Sequence, residues 1–244
     1  MARLLLLAAA STKRAQVPFS AWLPLAIAAP TPVSALVHSS TLVTAGVYVI
    51  IRLRVCTPPL AIRMLFLGGT TTLVAGIRGL VENDLKKVVA LSTLRQLGVM
   101  VSRLGAGCPN LALFHLVTHA FFKAIIFIAA GQILHLSSSD QDLRKANNRA
   151  NNSPWVISFF CIARLSLGAL PFLAGCVSKH RILEVCGESS LLGGIAAWGI
   201  LLGGVLTLAY RVRLQLVLII GLKANRWEER TDNDLRGFLA IGVL

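Results

Sequence analysis

The sequence predicts an all-α protein made of membrane-spanning helices, and three observations carry that expectation. The chain of 244 residues is 55% hydrophobic, mostly Leu, Ala, Ile, Val and Gly, with aromatic residues at only 7%. Charged residues make up 14%, where a soluble domain carries roughly a quarter. Finally, the apolar residues gather in windows close to the ~20 residues needed to cross a hydrocarbon core.

Taken in order, those windows give a half-span at 2–12 and spans near 33–51, 60–81, 86–104, 109–135, 154–177 and 189–211. A further apolar piece covers 212–222, and the sequence is apolar again from 238. The longest connection, 136–153, is polar (SSSDQDLRKANNRANN) and belongs in water. No room is left for a soluble catalytic domain, so residues 1–244 are read as a single transmembrane domain. The apolar sequence at both ends suggests one piece of a longer bundle.

The formal charge of +14 would point to nucleic acid in a soluble protein. Here no polar domain could present a basic face, so the excess is assigned to membrane flanks and buried functional cations, with no nucleic-acid partner. Cys56, Cys108, Cys161, Cys176 and Cys186 are widely spaced, which supports neither a disulfide framework nor a zinc or iron–sulfur site. Residues 1–10 are apolar but run into Lys13 and Arg14 and then a proline-containing stretch, unlike a cleavable signal peptide.

Two stretches interrupt the helical pattern. Residues 16–33 contain Pro18, Pro24, Pro30 and Pro32, and Pro171 lies between Gly168 and Gly175. Proline removes a main-chain donor and clashes with the preceding turn, and non-helical backbone is tolerated at membrane depth only where protein or water satisfies it. Paired broken helices mark ion-transporting folds; ordinary proline kinks are the alternative.

The sharpest feature is the stripe His115, His119, Lys123. The spacing i, i+4, i+8 puts all three on one face of one helix, with Thr118 on the same side. Each ionisable group in mid-membrane costs roughly 2.5–3.5 kcal/mol on insertion scales, so the stripe needs a hydrated channel inside the bundle. Histidine titrates near neutrality, and burial makes a lysine's charge depend on its surroundings. Those are the properties of a proton relay; a structural polar seam between helices is the plainer reading.

Other ionisable positions follow the same logic. Lys13 stands where the first apolar segment meets the proline-rich stretch, and His38 lies in the 33–51 span beside Ser39, Ser40 and Thr41. Lys86 and Lys87 follow Glu82 and Asp84, where Lys87 reads as a solvated helix end. Lys179 lies past the Pro171 break, near His180 and Glu184. Any one of them could snorkel to the interface, but together they place a cation or histidine on almost every span. Competing chemistry is scarce: there is no GxGxxG after a strand, no Walker loop, no HExxH and no GxSxG elbow. His115 and His119 stack on one helix instead of facing each other across a bundle, which argues against haem.

Four stretches carry a resemblance. TKRAQVPFSAWLPLAIAAPTPVSALVHSSTLVTAGVYVIIR (12–52), NDLKKVVALSTLRQLG (83–98), HLVTHAFFKA (115–124) and GALPFLAGCVSKHRILE (168–184) closely resemble, in order, the signature of the antiporter-like membrane subunits of respiratory complex I, the NADH:ubiquinone oxidoreductase. The resemblance covers residues 2–212. It implies a polytopic bundle of the antiporter-like type with two broken helices, in the mitochondrial inner membrane, corresponding to the central-to-C-terminal part of a longer subunit. By position, Lys13 matches the family's lysine at the first broken helix, His38 the histidine of the next span, and Lys86 the lysine after the acidic Asp84. His115, His119 and Lys123 match its central stripe, and Lys179 its terminal lysine.

The resemblance further implies that protons pass between Lys86, the stripe and Lys179, driven by quinone reduction elsewhere. It implies no redox centre in this chain, with NADH, FMN, iron–sulfur clusters and ubiquinone bound by other subunits. The implied partners are other membrane-arm subunits, including a neighbouring antiporter-like subunit, and membrane lipids. A stand-alone cation/proton antiporter of related fold and a purely structural scaffold are the rival readings. Family members also carry earlier helices with a glutamate that partners the Lys13 position, and His180 stands where many have an acid.

One departure is patterned. Arg14, Arg78, Arg95, Arg164 and Arg211 stand where the family usually has serine, Ile27 stands where methionine is common, and the chain has only three methionines. A mitochondrial gene that uses AGA and AGG for serine and AUA for methionine, read with the standard code, would produce this pattern. Five serines in place of these arginines would lower the formal charge from +14 to +9.

Overall fold

A computed structural model describes residues 2–13, 15–26, 30–39, 41–53, 57–136, 142, 154–168, 172, 175 and 191–220. Among these the regular structure is helical throughout, and the only strand-like feature is an isolated bridge between Asp84 and Asp142. The expected all-α bundle is what the chain forms.

The half-span is helix α1 (Ala2–Lys13). It ends where Ala15 takes a left-handed φ of 54°. The Gln16 amide then bonds back to the Ser11 carbonyl at 3.1 Å, and the Ala15 amide to Thr12 at 3.2 Å, a pattern that satisfies the orphan carbonyls of a helix end. Turns and the short α2 (Trp22–Leu25) follow, so the interruption expected from the prolines is present on this side. Of the second interruption, the described residues show a helix running to Gly168 and a turn at Phe172 with a left-handed φ of 70°; Pro171, Lys179, His180 and Glu184 lie outside the described residues.

The expected span 33–51 is two helices, α3 (Thr31–Ser39) and α4 (Leu42–Arg52). At the junction the Thr41 hydroxyl donates to the Leu36 carbonyl at 3.1 Å, and such local bonds compete with the helical ladder. Helices α5 (Pro58–Val81), α6 (Leu85–Gly105) and α7 (Pro109–Leu136) match their windows closely. Helix α8 is Pro154–Gly168; most of the rest of the expected span, to 177, lies outside the described residues. The pieces at 189–211 and 212–222 are one helix, α9 (Leu191–Ile220), so Arg211 and Arg213 are internal to it.

Proline begins α5 and α7, where the missing N–H is an orphan in any case. Between α6 and α7, Gly107 takes a φ of 81°. The Cys108 amide reaches the Arg103 carbonyl and the Gly107 amide that of Leu104, both at 3.2 Å. This Schellman turn closes a tight hairpin of two antiparallel helices.

Helix α6 is the centre of the bundle: every residue from Thr93 to Gly105 is buried. It packs most closely on α5, where Gly68 and Gly98 let the backbones meet. A Cβ on Gly98 would stand 2.8 Å from the Gly68 carbonyl oxygen, and one on Gly68 2.6 Å from that of Gly98. Small residues at a crossing are how membrane helices gain close contact. Pro58–Val81 and Pro109–His135 are long and apolar enough to cross a membrane. Phe66, Ile77, Val81, Phe121, Trp198 and Val205 point outward, a surface suited to lipid.

Candidate functional site

The facing sides of α6 and α7 carry a polar line through an otherwise apolar interior. His115, His119 and Lys123 are all buried, Lys123 completely. The two imidazole rings are 6.2 Å apart, tilted by 34°. The stripe deduced from spacing is therefore one inward face of α7.

Helix α6 answers it with polar groups of its own. Lys123 Nζ donates to the Val89 carbonyl at 2.9 Å and to Ser92 Oγ. One turn on, Gln96 Oε1 lies 3.3 Å from His115 Nε2. Ser92 and Gln96 are four residues apart and share one face of α6, while Lys123 and His115, the groups they meet, lie eight apart on one face of α7. The sequence reading passed over both residues: α6 carries eight polar or charged side chains, so their i, i+4 spacing does not single them out. It also missed Gln16: fully buried beside the first break, it accepts a hydrogen bond from Thr71 at 2.7 Å.

The remaining expected positions are not gathered here. Lys13 is exposed in the last turn of α1, where a cation suits the negative end of the helix dipole. His38 lies on α3, but its side chain is outside the described residues. Lys86 is half-buried in the first turn of α6, and Lys87 pairs with Asp84 at 2.5 Å, as a solvated helix end would.

Beside Lys123 is a cavity lined by Ser92, Phe160, Arg164, Tyr210 and Arg211 among others. Arg164 and Arg211 are buried, as is Arg95 on α6. Arg164 Nη2 donates to the Arg211 carbonyl at 2.8 Å, but among the described residues Arg164 Nη1, Arg211 Nη1, Arg95 Nε and Nη1, and the Tyr210 hydroxyl have no hydrogen-bond partner. Arg211 repels Arg95, Arg164 and Lys123. No carboxylate is buried among the described residues; Glu82 and Asp84 stand between α5 and α6.

A line of one lysine and two histidines, each held by neutral oxygen acceptors or neighbouring rings, can store a proton and pass it on. It cannot hold a metal by the usual clustering: among the described residues no group of three His, Cys, Asp or Glu converges.

Comparison with known proteins places this arrangement. Residues 1–209 match the family described as NADH:quinone oxidoreductase/Mrp antiporter, transmembrane. NADH-ubiquinone oxidoreductase chain 5 of Aedes aegypti is 53% identical over 182 residues, covering 74% of this chain and 31% of its own length. The Locusta migratoria protein of the same name is 44% identical over 246 residues, covering 99% of this chain and 42% of its own length. The chain thus spans well under half of these relatives. Among solved structures, a chain of the Mrp complex from Dietzia sp. DQ12-45-1b superposes with a TM-score of 0.78 at 28% identity, covering 99% of this chain and 27% of that one. With most of its length matched and the helical bundle in common, the chain belongs to the NADH:quinone oxidoreductase/Mrp antiporter family of transmembrane proteins.

Proposed function

We propose that this chain carries protons through the membrane arm of a mitochondrial NADH:ubiquinone oxidoreductase, as an antiporter-like subunit in the inner membrane. The observation that supports it most is Lys123, fully buried and continued along α7 by His119 and His115. Lys123 holds its proton while bonded to Ser92 and the Val89 carbonyl, and gives it up when a nearby charge moves closer. The histidines, which can gain or lose a proton near neutral pH, take it along the face. Coupled groups of this kind titrate as a set. The likeness to proteins named chain 5 favours this setting.

Lys86 and Lys179 are proposed as further stations, with Lys13 and His38 at the first broken helix. Electron transfer and its cofactors belong to other subunits in this reading, and the partners are neighbouring membrane-arm subunits.

The test is Lys123→Ala in the assembled complex. The expected outcome is a loss of proton pumping with the NADH-oxidising assembly still present on a native gel. Pumping at the wild-type rate would refute the relay. The likeness to an Mrp chain favours one alternative, a stand-alone cation/proton antiporter. Peptides of this chain recovered from the NADH-oxidising band would exclude it.

A further inference from the structure

We propose that positions 95, 164 and 211 carry serine in the working protein, and that the cavity beside Lys123 is consequently a hydroxyl-lined pocket that holds water. The identity of the three residues stands on packing and charge alone. The meaning of the pocket rests on the proton-carrying role proposed above.

The first argument is electrostatic. A guanidinium stays charged under any condition a protein meets. Here Arg164 on α8 and Arg211 on α9 line the cavity beside one buried lysine, and Arg95 on α6 is buried against α9, with no buried carboxylate among the described residues. Buried charges are otherwise paired. Fixed positive charge at 164 and 211 also opposes protonation of Lys123 at every stage of a cycle.

Unpaired donors add a second argument. Among the described residues Arg95 Nε and Nη1, Arg164 Nη1 and Arg211 Nη1 have no acceptor, and Arg164 has besides the Arg211 carbonyl only the Phe160 ring as a partner, 5.1 Å away. Arg213, two residues beyond Arg211, is different: its guanidinium donates to the Leu80 carbonyl and, at 2.7 Å, to Asn83 Oδ1 at the end of α5. One helix thus holds an arginine the fold accommodates and one it does not. The same contrast appears in the packing. The Arg95 guanidinium lies against Gly203 and Gly204, and Arg211 Nη1 against Gly168, places where the facing helix offers bare backbone and a small polar residue would fit.

Serine answers each difficulty. A membrane helix tolerates its hydroxyl, which can bond the preceding turn, as Ser92 does to Val89 at 2.6 Å. The cavity, about 20 Å³, has room for about one water. Shortening residues 164 and 211 would enlarge it and leave Ser92, two new hydroxyls and the unpartnered Tyr210 hydroxyl as its polar lining. A gene in which AGA and AGG mean serine supplies the route from arginine on paper to serine in the protein.

The experiment is peptide sequencing by mass spectrometry on the chain isolated from its native membranes. A lysine-specific protease avoids cutting at the positions in question; trypsin serves as the second readout. Serine at 95, 164 and 211 with arginine at 213 is expected, and trypsin should cut after 213 but not after the other three. Arginine at any of the three overturns the proposal, as does serine at 213, which would void the packing criterion. Neither reading depends on whether the chain pumps protons.

Discussion

Lys123 on α7 donates to the main-chain carbonyl of Val89 on α6 at 2.9 Å, so a fully buried cation is anchored by backbone as well as by a side chain. The backbone acceptor cannot be removed by substitution, and the Ser92 hydroxyl can.

Ser92→Ala should therefore weaken Lys123 without freeing it. Hydrogen bonds to charged groups are worth about 1.5–3 kcal/mol. The expected result is a several-fold fall in pumping rate, measured by fluorescence quenching in membrane vesicles, with assembly intact. An unchanged rate would mean that Val89 alone positions the lysine.

Gln96→Leu removes the oxygen facing His115 at 3.3 Å and should cost about 1–3 kcal/mol, as the loss of a buried polar partner does. If His115 carries protons, the pH profile of pumping should shift while NADH oxidation by the uncoupled complex stays unchanged. A drop in thermal stability with the profile unmoved would assign Gln96 a structural role alone.

Neighbouring glycines on α5 should behave oppositely. Gly68→Ala forces a methyl group into the Gly98 carbonyl and Ser102, and overpacking costs typically about 1–3 kcal/mol. Gly69→Ala meets nothing within 4 Å and should be neutral or better. Thermal denaturation of the detergent-extracted complex, followed through this chain, would separate the two; equal effects would refute the close α5–α6 contact.

The Asp84–Lys87 pair should matter little. Both side chains are partly solvated, at 31% and 42% exposure, and such pairs contribute about 0–1 kcal/mol. Asp84→Asn is expected to leave pumping and assembly within experimental error at physiological salt. A large loss would reveal a role for Asp84 beyond its pairing with Lys87.

What could be read from the sequence was whatever is periodic. Helices α5, α6 and α7 follow from runs of apolar residues of bilayer length, and the His115–His119–Lys123 face follows from steps of four. The division of 33–51 was harder, because its cause is a local hydroxyl bond at Thr41 that leaves the hydropathy of the window unchanged. In the other direction, the apolar run through 189–222 was divided in two around the arginines at 211 and 213, yet helix α9 passes straight through them. Ser92 and Gln96 acquire meaning only from the helix opposite, which periodicity along one segment does not identify. Lys13 shows the converse: its position in a family pattern was legible, while its exposure depends on what packs against α1.

The glycine turn at 107 has a consequence for biosynthesis. Because α6 and α7 are joined by so few residues, Ser92 finds Lys123 and Gln96 finds His115 within a single hairpin, at short range along the chain. Contacts of that kind form early, while synthesis is still adding residues. The two helices can thus enter the bilayer as a pair with Ser92 and Gln96 already matched to Lys123 and His115.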